Sequence, residues 1–379
     1  MTILHLNTSN AWGGLELYTL QFMQALAREG VENVALVRVG SRLEEACKAA
    51  GIRTLRASHQ AHVSPSSISM VRRFCRATPN VIVHSHTRID VWTGSIAVAG
   101  TSIPHVNSVY MIAVNKKDVL HSFIYGRVDA IVSTSSINNE AIRAGFPIPP
   151  ERIHLIRYMR DPAVSARSAD ARAQLRKELG VGEDELLIGS AARIDPQKGI
   201  REFVDSYFLL PDDLQQRVHY LVIGEPSVER MDEHGRPVYE PQGAELQQWL
   251  ADRSSHSYAR GRIHVRPFRA DLASALSAMD IFVLASYHET YALTLIEAMM
   301  NGLPVIGTNT GGTPEQVADG RGRSVEPRSA QALAKAIKDE VSDAAHREEH
   351  AALGKAWACA EHDPTVVIRQ WLDLYQSLQ

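Results

Sequence analysis

The sequence predicts an α/β protein of two domains, each built on a mostly parallel sheet with helices on both faces. Three observations predict it. Short apolar runs alternate along the whole chain with longer stretches of helical spacing, the signature of strands joined by helical crossovers. The alternation is interrupted once, over residues 160–172 (RDPAVSARSADAR), where it gives way to an aperiodic Ser-, Ala-, Asp- and Arg-rich stretch. The length of 379 residues, 45% of them apolar, suits two domains of ordinary size. The expected boundaries are 1–165 for the first domain, completed by a C-terminal helix over about 362–379, and 170–361 for the second.

Strands are expected first over residues 2–8, 33–39, 53–57, 80–86, 105–111, 130–135 and 153–159, and after the linker over 186–194, 219–224, 262–268, 281–286 and 304–310. The first strand runs through SNAWGGLE into an amphipathic helix that stops at Gly30. Its glycines do not follow G-x-G-x-x-G, so a dinucleotide fingerprint is absent, but Gly13 and Gly14 allow close approach of a phosphate or sugar. His84 and His86 share one face at the end of a strand; without an acidic or cysteine partner at ligand spacing, His86 is assigned to sugar or acceptor contact and His84 to packing. The segment 225–245 is longer and more polar than a simple connection needs. In the tail, Val367, Trp371, Leu374 and Leu378 lie on one helical face.

Composition excludes several classes. A net charge of −3 gives no global field for nucleic acid. Three isolated cysteines, at 47, 75 and 359, form neither a disulfide framework nor a metal motif, which points to reduced thiols in the cytoplasm. MTILHLNTS lacks the features of a signal peptide, and no 18 apolar residues run together. Arg72, Arg73 and Arg76 on one helix, with Lys116 and Lys117 beyond it, make a modest basic cluster that suits peripheral contact with an anionic membrane.

The densest chemistry lies in SYHETYALTLIEAMMNGLPVIGTNTGGTPE, residues 286–315. A strand ends in a loop carrying His288, Glu289 and Thr290, and the following helix carries Glu297. A second strand then opens onto Gly311 and Gly312, with Thr313, Pro314 and Glu315 reading as N-cap, first helical residue and acidic first turn. In an open parallel sheet such loops converge on one ligand, and paired helix N-termini suit a diphosphate.

Two glutamates eight apart, followed by Ala-Met, Gly-x-Pro-Val-Ile and Gly-Gly-x-x-Glu, resemble the donor-site signature of the retaining glycosyltransferases with two Rossmann-like domains, the GT-B type, and in particular glycosyltransferase family 4. The resemblance implies two such domains facing across a cleft. It implies transfer of a hexosyl group, with retention, from a nucleotide-diphosphate sugar (a UDP-sugar first, GDP-mannose next) to a glycan or lipid-linked acceptor. It also implies roles by position. Arg193 and Lys198, in the pattern R-x(4)-K-G, grip the donor diphosphate, and Glu289 orients the sugar. Glu297 takes the ribose hydroxyls, Phe268 lies by the base, and the backbone of Thr290, Tyr291, Ala292 and Leu293 assists with Gly13 and Gly14. With fixed cations to stabilise the leaving group, no metal or other cofactor is expected. Relatives carry a histidine where this chain has Tyr110, a phenol that hydrogen-bonds but is a poor base at neutral pH. A sugar-nucleotide epimerase of the same fold, a glycogen-phosphorylase-like enzyme carrying pyridoxal phosphate on a lysine, and a catalytically idle nucleotide-sugar binder are the alternative readings.

Overall fold

The computed structural model describes residues 1–231, 236–256, 259, 261–269 and 271–379. The chain divides into two compact units, Met1–Met159 with Pro364–Gln379, and Arg160–Asp363.

Unit 1 holds a seven-stranded parallel sheet of β1 (Thr2–Asn7), β2 (Glu32–Arg38), β3 (Arg53–Ala57), β4 (Val81–Ser85), β5 (His105–Val109), β6 (Ala130–Ser133) and β7 (Ile153–Leu155), in the order β3-β2-β1-β4-β5-β6-β7. The order reverses at β1 and β4, the switch point at which such sheets bind ligands. Residues in β1 and β4 are buried on both faces, as a sheet covered by helices on both sides requires. The helices begin where the sequence supplies caps: Ser41, Ser64 and Ser135 each accept a backbone N–H from the first turn of the helix that follows. The tail forms the helix Pro364–Ser377, burying Val367, Ile368, Trp371, Leu374 and Tyr375; Leu378 falls one residue beyond it. Trp371 packs on Phe22 of the helix Gly14–Arg28, with ring centroids 4.9 Å apart.

Unit 2 holds a six-stranded parallel sheet. Its strands are β8 (Leu186–Ala191), β9 (Val218–Ile223), β12 (Ile263–Arg266), β13 (Ile281–Leu284), β14 (Val305–Thr308) and β15 (Arg323–Val325), in the order β12-β9-β8-β13-β14-β15. Between β9 and β12 an antiparallel ribbon, β10 (Val228–Met231) with β11 (Pro237–Tyr239), occupies part of the polar segment 225–245, whose residues 232–235 lie outside the described chain. The ribbon and β15 are the strands that the sequence reading missed. Observed strands are shorter than expected at their C-terminal ends, because those residues leave the ladder to form the loops of the site. The helix expected over 270–280 is Leu272–Ala278, capped by Asp271; Ala270 lies outside the described residues. Ile188, Phe203, Tyr220, Val222, Ile281 and Val283 belong to the core on one face of this sheet.

Candidate active site

Three loops of unit 2 leave the C-terminal ends of the adjacent strands β8, β13 and β14, and backbone contacts fasten them together. The β13 loop is the hub. Tyr287 N–H donates to the Gln197 carbonyl of the β8 loop at 2.8 Å, and Gly312 N–H of the β14 loop donates to the Thr290 carbonyl at 3.0 Å. Thr308 Oγ1 adds a bond to the Ser286 carbonyl at 2.5 Å.

Two glycines make that closeness possible. Gly199 has φ +62°, and a Cβ there would sit 2.0 Å from the Ala285 carbonyl oxygen; Gly311 has φ +53°, and a Cβ there would sit 1.4 Å from the Glu289 carbonyl oxygen. No side chain fits at either position, so both glycines are demanded by contact as well as by backbone conformation.

The hub brings Lys198 to Glu289, with Nζ 2.9 Å from Oε2 and both side chains partly open to solvent. A lysine ammonium has three donors, so it can hold this carboxylate and still reach a phosphate oxygen. Glu297, on the helix Leu293–Met300, pairs through Oε1 with Arg160 Nε at 3.0 Å. Burial raises its pKa, against which the charge and hydrogen bond of Arg160 act. Arg160 donates its own backbone N–H to the His362 carbonyl at 2.9 Å, which ties the start of unit 2 to its end. Sequence reasoning placed Arg160 in the linker and so missed it.

Other expected residues are placed differently. Arg193 is 55% exposed and bonds to Asp195 (3.2 Å) and Ser227 (3.2 Å). Phe268 is 57% exposed and stands beyond the end of β12. Ala292 N–H donates to Gln316 Oε1 at 3.2 Å, while Gln316 Nε2 donates back to the Ala292 carbonyl at 3.0 Å, so this N–H is already engaged. Tyr291 is buried, its hydroxyl 3.3 Å from His362 Nε2. Gly312, rather than Thr313, is the N-cap of the helix Thr313–Val317, because Gly312 supplies the first helical carbonyl and Thr313 is fully buried. Leu293 opens its helix and is half-buried.

In unit 1, Gly13 is the extended N-cap of the helix Gly14–Arg28. Its N–H is taken by the buried Glu16 carboxylate at 3.0 Å, one half of a capping box whose other half a glycine cannot supply. A Cβ at Gly13 would meet nothing nearer than 3.7 Å, in contrast to Gly199 and Gly311. Gly14 is the first residue of that helix. His86, expected at the sugar, is 1% exposed, with Nε2 2.9 Å from His5 Nδ1 and Nδ1 3.3 Å from the Tyr110 hydroxyl. Tyr110 itself is half-buried just past β5. The nitrogens of His5, His84 and His86 are close enough for a shared ion, but each already has a hydrogen-bond partner, and the rings of His84 and His86 lie tilted at 34° with centroids 4.1 Å apart. Burial lowers the pKa of His5 to about 4 and those of His84 and His86 well below the usual histidine range.

Comparison with known proteins gives this geometry its context. Residues 171–357 match the family described as glycosyl transferases group 1, and residues 13–159 match the glycosyl transferase 4-like domain. The chain belongs to the group 1 glycosyltransferases. It is a transferase of the GT-B type, with two Rossmann-like domains. It is 25% identical to D-inositol 3-phosphate glycosyltransferase of Stackebrandtia nassauensis, covering 90% of this chain and 81% of the relative. It is 25% identical to alpha-maltose-1-phosphate synthase of Mycolicibacterium smegmatis, covering 86% of each. The fold matches that of Anabaena HepE, solved with UDP, at a TM-score of 0.85 and 20% identity over the whole of both chains. It matches sucrose-phosphate synthase of Thermosynechococcus elongatus at a TM-score of 0.77 and 21% identity, over 100% of this chain and 98% of that one.

Proposed function

We propose that this glycosyltransferase moves a hexosyl group, with retention at the anomeric carbon, from a nucleotide-diphosphate sugar to a hydroxyl of a glycan or lipid-linked acceptor in surface polysaccharide or lipopolysaccharide synthesis. A UDP-sugar is the first choice of donor and GDP-mannose the second. The observation that carries this reading is the Lys198–Glu289 pair, held at 2.9 Å on three loops that Gly199 and Gly311 allow to touch. A departing nucleoside diphosphate gains negative charge as the glycosidic bond breaks, and a fixed ammonium stabilises that charge more in the transition state than before it. Lys198 fills this role, with Arg193 turning in from the rim. Glu289 orients the sugar through its hydroxyls. Glu297 accepts from the ribose hydroxyls. The leaving phosphate takes the acceptor proton on the same face, and the cations of the chain do the work for which other transferases use a metal. The relatives support the donor class: HepE was solved with UDP and with UDP-glucose, and the Stackebrandtia nassauensis relative is named as a glycosyltransferase.

Unit 1 is suited to a lipid-linked acceptor. Met111, Ile112, Val114, Val119, Leu120 and Phe123 are all exposed within a short segment that also carries Lys116 and Lys117. Aliphatic and aromatic side chains beside lysines suit the boundary of an anionic leaflet. Arg73 and Arg76 are exposed on the helix Pro65–Ala77, whereas Arg72 is tied to the Ile96 and Ala97 carbonyls. Among the described residues no helix is long and apolar enough to cross a membrane.

A panel of nucleotide sugars screened by thermal shift, followed by product analysis of the best binder in EDTA, tests the proposal. Stabilisation by one nucleotide sugar and metal-free transfer with retained configuration is expected. Conversion of the sugar nucleotide without an acceptor would make it an epimerase, and binding without turnover an idle binder. Flotation with anionic vesicles should decline on Leu120→Ser with Phe123→Ser, and flotation unchanged by that pair would remove the apolar segment from the account.

A further inference from the structure

The interior of unit 1 holds a hydrogen-bonded chain whose proton positions follow from one fixed end. Asn33 donates Nδ2–H to the Val31 carbonyl at 2.8 Å, which turns its Oδ1 to His5 Nε2, also at 2.8 Å. His5 Nε2 therefore carries the proton and Nδ1 is bare in the neutral ring. His86 Nε2, 2.9 Å away, must then donate to His5 Nδ1, which leaves His86 Nδ1 bare to accept from the Tyr110 hydroxyl at 3.3 Å. The other side completes in the same sense. Tyr375 donates to His84 Nδ1 at 2.7 Å, His84 Nε2 donates to Ser108 Oγ at 2.8 Å, and the Ser108 hydroxyl bonds to the Tyr110 oxygen. His5 and His84 are fully buried and face one another across β1 and β4.

Its consequence falls on Tyr110, which is half-buried at the C-terminal edge of the sheet just past β5, whereas His5, His84, His86, Ser108 and Tyr375 are buried. Its proton is spent on His86, so its oxygen can meet a ligand only as an acceptor.

We propose that Asn33, His5 and His86 are positioning residues that hold the Tyr110 phenol as an acceptor-only contact for a substrate hydroxyl, and so set which sugar or acceptor hydroxyl this enzyme requires as a donor. The proposal rests on the transferase reading above. A histidine at position 110 could donate or accept according to its tautomer, whereas this phenol reads one polarity.

Two experiments separate the relay from the reading it rests on. The first needs no substrate. In ¹⁵N spectra of histidine-labelled protein at pH 7, His5 and His86 should both show the neutral Nε2–H tautomer, and Tyr110→Phe should shift His86 Nδ1 while leaving the His5 tautomer in place. An Nδ1–H tautomer for either ring overturns the chain whatever the enzyme does.

The second compares kcat/KM for the donor that the panel identifies, and for its acceptor, with analogues in which single hydroxyls are replaced by fluorine, which accepts but cannot donate. The wild type should reject one analogue about tenfold, the worth of one hydrogen bond. Tyr110→Phe should abolish that discrimination. Asn33→Leu, three links away from Tyr110, should reduce it at least threefold, and the double variant should match Tyr110→Phe alone. Loss of folding would lower all rates together and leave the ratio unchanged, so the ratio reads positioning. Discrimination unaffected by Asn33→Leu, or effects that add in the double variant, would overturn the proposal.

Discussion

Each unit carries a parallel sheet, of seven strands in unit 1 and six in unit 2, and the two treat its C-terminal edge in opposite ways. In unit 2 the edge loops are drawn together by backbone contact, at glycines where no side chain fits, and they present a charged pair partly open to solvent. In unit 1 the polar side chains turn inward, neutral and mutually bonded, and the glycine loop is closed by its own Glu16. On the proposed reading, one edge meets charge and the other a hydroxyl. The difference teaches that similar glycine-rich turns on the same scaffold are not equivalent. What distinguishes them is whether a neighbouring backbone occupies the space that a Cβ would need.

The largest effect should come from the charged pair. Lys198→Ala should lower kcat by about 10²- to 10³-fold, the usual worth of one preorganised group facing developing charge, with little change in Tm. Near wild-type turnover in that variant, or in Glu289→Ala, would detach the pair from catalysis. Gly311→Ala should come next. Strain at positive φ and the clash with the Glu289 carbonyl should cost about 1–3 kcal/mol, and displacement of Glu289 about 10²-fold in rate. Gly13→Ala, whose Cβ would make only an ordinary contact with Glu16 at 3.7 Å, should stay within about 0.5 kcal/mol of the wild type. Equal costs for the two by denaturant titration would erase the contrast between the units.

The inward-turned histidines sharpen the contrast by pH. His5 must stay neutral in the folded protein down to about pH 4, and His105, also buried, to about 3, while in the unfolded chain both take up protons near 6.5. The unfolded state therefore binds more protons below about pH 6.5. Stability should be full above that value and fall as the solution is acidified towards 4, by about 3 kcal/mol for a histidine shifted as far as His5. Replacing His5 by Gln should flatten the acid limb of the Tm profile, and an unchanged limb would contradict its burial as a neutral ring. Smaller effects belong to the rim. Glu297→Gln should raise the donor KM about tenfold without lowering kcat comparably, and Arg193→Ala should cost only a few-fold, since Arg193 stands exposed beside Asp195 and Ser227.

Much of unit 2 was legible because its chemistry is local. The β13 loop, Glu289, Glu297, Gly311 and Lys198 all lie at strand ends, where an apolar run stops and a helix starts. β15 and the β10–β11 ribbon were not legible, since strands of only three or four residues give no periodic signal against the surrounding loop. Arg160 was read as linker because nothing nearby in sequence reports its partner 137 positions later. The relay in unit 1 was hidden for the same reason, as His5 meets residues 28 and 81 positions away. One signal was present all the same. In a sheet buried on both faces, polar residues inside β1 and β4 need partners, and His5 and His84 stand directly opposite one another. The tail helix was legible as an apolar stripe, yet Tyr375, which reaches His84, lay outside the periodicity first traced.

The most direct measurement is a calorimetric titration of UDP and GDP into the wild type, Lys198→Ala and Tyr110→Phe. One of the two nucleotides should bind the wild type, bind Lys198→Ala at least tenfold more weakly, and bind Tyr110→Phe unchanged. Failure of both nucleotides to bind the wild type, or equal affinity in Lys198→Ala, would contradict the assignment of the diphosphate to the loops of unit 2.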